Sequence, residues 1–171
     1  MKKSHISLGL ILIILTVFTL NLTGCAEKIA ETAVESAIEN SAGEDVDVDL
    51  SGDNVNLNLG GANFNAGGNV QLPSNFPADV YQIEGTVTGS MSNLGVNTYW
   101  VTITTKIPIN EVSTTYQTEL PKNGWTISGT SNFEGMSTLN AEKDGRQLSI
   151  IITASEEETS IILSESTQSN E

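Results

Sequence analysis

Carboxylates, hydroxyls and side-chain amides are the polar groups this sequence offers in number, and three clusters of them have a spacing that chemistry could use. Asp47, Asp49 and Ser51, followed by Gly52, repeat the first half of a calcium loop, with oxygens at alternate positions and a glycine for the sharp turn. The twelfth position, where such a loop closes on a bidentate Glu, is Asn58, so a calcium ion held here would be held weakly. The same residues also serve as the polar side and turn of a β-hairpin. Glu156, Glu157 and Glu158 gather carboxylates of the kind glycoside cleavage uses in pairs. Neighbours in a turn point apart, however, and a solvated turn explains them. The third cluster is Trp100 with Thr102 and Thr104 on one strand and Thr86 and Thr88 on the strand before it. Period-two alternation sends these to one side of a sheet. The result is a face where an indole could stack on a sugar ring or a partner's side chain while hydroxyls hydrogen-bond. The competing expectation is that a hairpin over residues 45–60 lays its aliphatic side, Val46, Val48, Leu50, Val55, Leu57 and Leu59, across that face, since a two-stranded hairpin is marginal alone.

Cys25 is the single cysteine and His5 the single histidine. Lys2 and Lys3 precede an apolar run from Ile6 to Leu22, and Leu22-Thr23-Gly24-Cys25 follows. A positive start, an apolar stretch and small residues before a cut describe a secretory signal. The run is 17 residues, at the bottom of the range that spans a bilayer.

The four residues Leu22-Thr23-Gly24-Cys25 resemble the lipobox of prokaryotic lipoproteins. That resemblance implies diacylglyceryl transfer to the Cys25 thiol and cleavage before it, giving a stable two-chain anchor in the lipid bilayer. The expected address is the cell membrane, lipid-anchored and facing outside the cytoplasm. Removing residues 1–24 takes Lys2, Lys3 and His5 and no carboxylate, so the net charge moves from −14 to −16 over 147 residues. Such a chain is repelled by nucleic acid and by anionic headgroups. Without an imidazole or a free thiol, Ser-His-Asp and Cys-His catalysis, zinc sites and internal disulfides have no residues to work with. Carboxylate chemistry, Ser-Lys chemistry and oxygen-ligated calcium stay open, and no cofactor is expected. Gly60-Gly61 and Gly67-Gly68 lack the Lys and the following helix of a phosphate loop.

Residues 25–43 read as a lipidated, acidic amphipathic helix or stalk. Ile29, Ala30, Ala33, Val34, Ala37 and Ile38 share one side, and Glu27, Glu31, Glu35 and Glu39 recur on another. Residues 44–72 hold the hairpin and a Gly/Asn-rich connection with a weak third strand. Residues 73–166 read as a compact domain, with a polar tail over 167–171. Its strands are expected at "VYQIEGTVTG", "TYWVTITTKIP", "WTISGT", on both sides of Asp144-Gly145, and at "SIILSE". Ile109, Val112, Tyr116 and Leu120 fall on one face of a helix that Pro121 and Gly124 end. The order β-β-α-β-β-β-β gives an α+β fold, an antiparallel sheet with one helix packed on one face.

"LPSNFPADV", "YQTELPKNGW" and "KDGRQLSIIIT" together resemble a group of uncharacterised bacterial and archaeal lipoproteins, over roughly Pro73 to Leu163. The resemblance implies a shared fold and address and no particular activity. The function expected is a non-enzymatic binding or envelope-structural module with an envelope glycan or protein as partner. The alternative is a carboxylate-based hydrolase acting on envelope polysaccharide.

Overall fold

The structure is a computed structural model that describes residues 46–51, 54–59, 61–93, 97–155 and 157–167. The expected signal and helix before Val46, Cys25, Glu156 and the tail beyond Thr167 lie outside the described residues.

Among the described residues, nine strands form a single antiparallel sheet: β1 (Val46–Ser51), β2 (Asn54–Leu59), β3 (Ala62–Ala66), β4 (Thr86–Asn93), β5 (Thr98–Thr105), β6 (Thr126–Phe133), β7 (Met136–Lys143), β8 (Arg146–Ala154) and β9 (Thr159–Thr167). Their order across the sheet is β1-β2-β3-β4-β5-β9-β8-β7-β6. A helix, α1 (Ile109–Lys122), follows β5 and carries the chain over one face to the far edge. The chain then returns strand by strand until β9 closes against β5, pairing Val101 with Leu163 and Ile103 with Ile161.

Alternation fixes the two faces. Tyr99, Val101 and Ile103 of β5 are buried, as are Ile161 and Leu163 of β9 and Leu148, Ile150 and Ile152 of β8. Against them α1 buries Val112, Tyr116 and Leu120, all at 0% exposure. Each such side chain contributes on the order of 1.5–3 kcal/mol, which holds a helix rich in Ser and Thr that propensity alone would not. Ser113 Oγ and Ser137 Oγ hydrogen-bond at 3.0 Å between α1 and β7. The helix ends in a Schellman motif: Trp125 N–H donates to Leu120 O at 3.0 Å and Gly124 N–H to Pro121 O at 3.1 Å, with Gly124 at φ 84°. That turn drops Trp125 into the core beside Leu120. The β7–β8 turn holds Asp144 at φ 50° and Gly145 at φ 75°, both left-handed as a two-residue hairpin needs.

Three expectations need correction. The hairpin of residues 45–60 does not cover the Trp100 face. It joins the sheet in its own plane, because β3 pairs with both β2 and β4 and carries the hydrogen-bond ladder outward. Edge pairing satisfies backbone groups that face-stacking would leave open. Residues 62–66 are a full strand rather than a weak one. Residues 80–85 are not strand. Val80 and Ile83 are both buried and three apart, and Val80 N–H donates to Pro77 O at 3.1 Å, so the segment turns over the core and pairing begins at Thr86.

Residues 67–85 thus form a strap across the helix-side face. Its Val80 and Ile83 join the core, and Tyr81 meets the Tyr116 ring edge-on at 6.0 Å. One end of the strap lies over β2–β4, the other against Trp125.

Candidate functional site

The helix-side face changes character along the sheet. From β5 to β7 it is aliphatic. Past β4 it carries Ser90 and Ser92, then Asn63 and Asn65 of β3, then Asn56 and Asn58 of β2, then Asp47 and Asp49 of β1, each opposite the next across the strands. A bulge between Val87 and Gly89 shifts the β4 alternation and turns the two serines to this side. The strap closes over the polar end. Val70 N–H donates to Val87 O at 2.8 Å, Ser90 Oγ donates to Gln71 O at 3.2 Å, and Asn75 Nδ2 donates to Tyr99 OH at 3.0 Å. Phe76 packs edge-on against Tyr99 at 5.9 Å.

Between strap and strands lies a groove of about 690 Å3, a size typical of small-molecule sites. Asn54, Asn56, Asn63 and Asn65 form its floor, residues 69–75 its wall and Ser92 one end. Every polar side chain lining it is a neutral amide or hydroxyl, and Val70, Leu72 and Pro73 add an apolar strip. Asn65 Nδ2 donates to Ser90 Oγ at 3.4 Å, which fixes one floor amide. Asn54 Oδ1 is buried without a hydrogen-bond partner.

The other end of the strap is an ion cluster. Asp79 accepts from Lys143 Nζ at 2.5 Å and from both terminal nitrogens of Arg146, and Trp125 Nε1 donates to Asp79 O at 2.9 Å. The Arg146 guanidinium lies 4.8 Å above the Trp125 ring. The Arg146 hydrogen bonds, outweighing desolvation and joined by those of Lys143, lower the Asp79 carboxyl from 3.8 to about 2. Glu165, 2% exposed with neither oxygen hydrogen-bonded, sits 3.8 Å from Arg146 Nη1, and burial pushes its pKa up. Two carboxylates with opposite shifts beside one arginine invite an acid–base reading. Glu165 is sealed from solvent, however, so the cluster reads as a clamp that pins the strap to the β7–β8 turn.

The residues singled out in sequence fall in different places. Trp100, Thr102, Thr104 and Thr86 share the outer face, opposite the groove, while Thr88 is the residue inside the β4 bulge. Trp100 is half-buried because its ring lies over Gly89, where an added Cβ would come 3.1 Å from Cζ3. It stands in one cross-strand row with Met91, Phe64, Leu57 and Val48. Asp47, Asp49 and Ser51 lie along an extended strand rather than around a loop, opposite Asn58, Asn56 and Asn54. Among the described residues, no group of three or more His, Cys, Asp or Glu is placed to hold a metal ion, and no helix is long and apolar enough to cross a membrane. The groove amides were visible in sequence as a period-two run of asparagines, which reads as a solvated strand face until the strap is seen to close over it.

Residues 85–167 match a START domain-like family model. The match opens one residue before β4 and closes on the last residue of β9, so it takes in β4–β9 and α1. Strands β1–β3 and nearly all of the strap lie outside it, and the groove forms where they meet the matched part at Ser92. No curated protein and no solved structure matches the chain.

Proposed function

We propose that the chain is a lipid-anchored, non-enzymatic binding module held outside the cytoplasm, and that its ligand occupies the groove between the strap and β2–β3. The groove carries this reading: about 690 Å3, floored by four asparagines and lined only by neutral polar and apolar side chains. The START domain-like match supports a ligand-binding role in general terms. Acylated Cys25 would tether the protein, while the net charge of −16 left after removal of residues 1–24 keeps its body off anionic headgroups.

Thermal-shift screening of a chemically diverse small-molecule set against the full-length protein in detergent tests the binding role. Asn63→Trp, which fills the groove, is run in parallel. Compounds that raise the melting temperature of the unsubstituted protein and not of Asn63→Trp support the reading. If every hit stabilises both proteins equally, the groove is not the site. The anchor is tested separately by mass spectrometry of the membrane-extracted protein: a chain beginning at a diacylglyceryl-modified Cys25 supports it, and an unmodified chain still carrying residues 1–24 overturns it.

A further inference from the structure

We infer that the groove takes a neutral, polyhydroxylated ligand, a short saccharide, an inference that rests on the binding role proposed above and names its ligand class. The argument is from the donor and acceptor inventory. A side-chain amide offers two N–H donors and an oxygen with two lone pairs on one plane. A sugar hydroxyl donates once and accepts twice, so vicinal hydroxyls match an array of amides better than any group that only donates or only accepts. The floor supplies four such amides on two adjacent strands, Asn54 and Asn56 beside Asn63 and Asn65. Strands are spaced about 4.8 Å apart and same-face residues on one strand about 7 Å apart, so the amides form a grid rather than a point. Val70, Leu72 and Pro73 give the C–H face of a sugar ring an apolar surface to lie against.

Charge excludes the alternatives. The lining holds no Lys or Arg to receive a phosphate, sulfate or carboxylate. Asp47 and Asp49 lie on the same side of the sheet, one strand beyond Asn58 and Asn56, and oppose any anion that approaches. A purely apolar ligand would strand the floor amides without partners.

Calorimetric titration of the full-length protein in detergent tests this, with maltotriose, xylotriose, triacetylchitotriose, trigalacturonate and capped triglycine as probes. At least one neutral trisaccharide should bind, with trigalacturonate about tenfold weaker or worse. Asn56→Ala and Asn63→Ala should each weaken the bound sugar by about tenfold, the worth of one or two hydrogen bonds. Asn63→Asp, nearly isosteric, guards against misfolding: it should keep the melting temperature and still lose affinity. If triglycine binds in an Asn63-dependent way and no sugar does, or if no probe binds, the saccharide class is wrong. In the triglycine case the groove stands as a site. If a sugar binds but ignores the asparagine substitutions and is lost in Trp100→Ala, the groove itself is wrong and the outer face is the site.

Discussion

The side-chain amide of Asn75 donates to the phenol oxygen of Tyr99 across 3.0 Å, tying the groove wall to the central strand β5. Tyr99→Phe removes that bond and keeps the ring that Phe76 packs against. Chemical denaturation should show a loss of about 1 kcal/mol, and ligand affinity should fall with it because the wall is no longer fixed. A variant with unchanged affinity would mean that the strap holds its position without this bond.

Asp79 makes acid stability depend on the strap. Its carboxyl is held near 2 against an ordinary 3.8, so the ionised form stabilises the fold. That stabilisation is complete above pH about 4 and is lost as the pH falls toward 2, up to about 2 kcal/mol. Asp79→Asn should lose about this much at pH 7 and flatten the dependence between pH 4 and 2. Denaturation midpoints across that range give the comparison.

Glu165 acts in the opposite sense. Burial raises its pKa, so charging it costs stability as the pH rises above the ordinary value of 4.5 toward the raised one. Glu165→Gln should therefore be more stable than the unsubstituted protein at pH 7, with the difference vanishing below pH about 4. A less stable Glu165→Gln at neutral pH would show that Arg146, 3.8 Å away, holds the carboxylate charged in spite of its burial.

Gly85 sits where the chain leaves no room for a side chain. A Cβ there would collide with the Thr104 carbonyl oxygen and come within 2.8 Å of Ile103 Cγ2. Backbone cannot step aside as a side chain can, so Gly85→Ala should cost on the order of 3 kcal/mol. Gly124→Ala, at φ 84° with Lys143 Cε 3.3 Å from the added carbon, should cost about 1 kcal/mol and disturb the Asp79–Lys143 pair.

What the sequence made legible was the part whose periodicity has a single meaning. Ile109, Val112, Tyr116 and Leu120 can line only a helix, and Asp144-Gly145 between alternating strands can only turn. The hairpin of residues 45–60 was legible as a hairpin, but its docking was not. Its aliphatic side suits both stacking on a face and extending an edge, and the choice rests on residues 62–66, whose Asn and Ala carry little strand propensity. The same ambiguity hid the groove. Asn56, Asn58, Asn63 and Asn65 alternate as a solvent-facing strand does, and only the strap, held by Val70, Ser90 and Asn75, turns that face into a concavity. The Trp100 cluster had the stronger composition, yet the Gly89 contact half-buries its ring on the opposite side of the sheet.

The central claim is that ligand enters the amide-floored groove rather than the Trp100 face. Residue-resolved NMR of the full-length protein in detergent micelles, titrated with the tightest neutral trisaccharide, separates the two. The side-chain amide resonances of Asn56, Asn63 and Asn65 should shift with saturation, together with the backbone of residues 69–75, while the Trp100 indole N–H stays in place. Saturable movement of the Trp100 indole N–H with the asparagine amides unmoved would contradict the account.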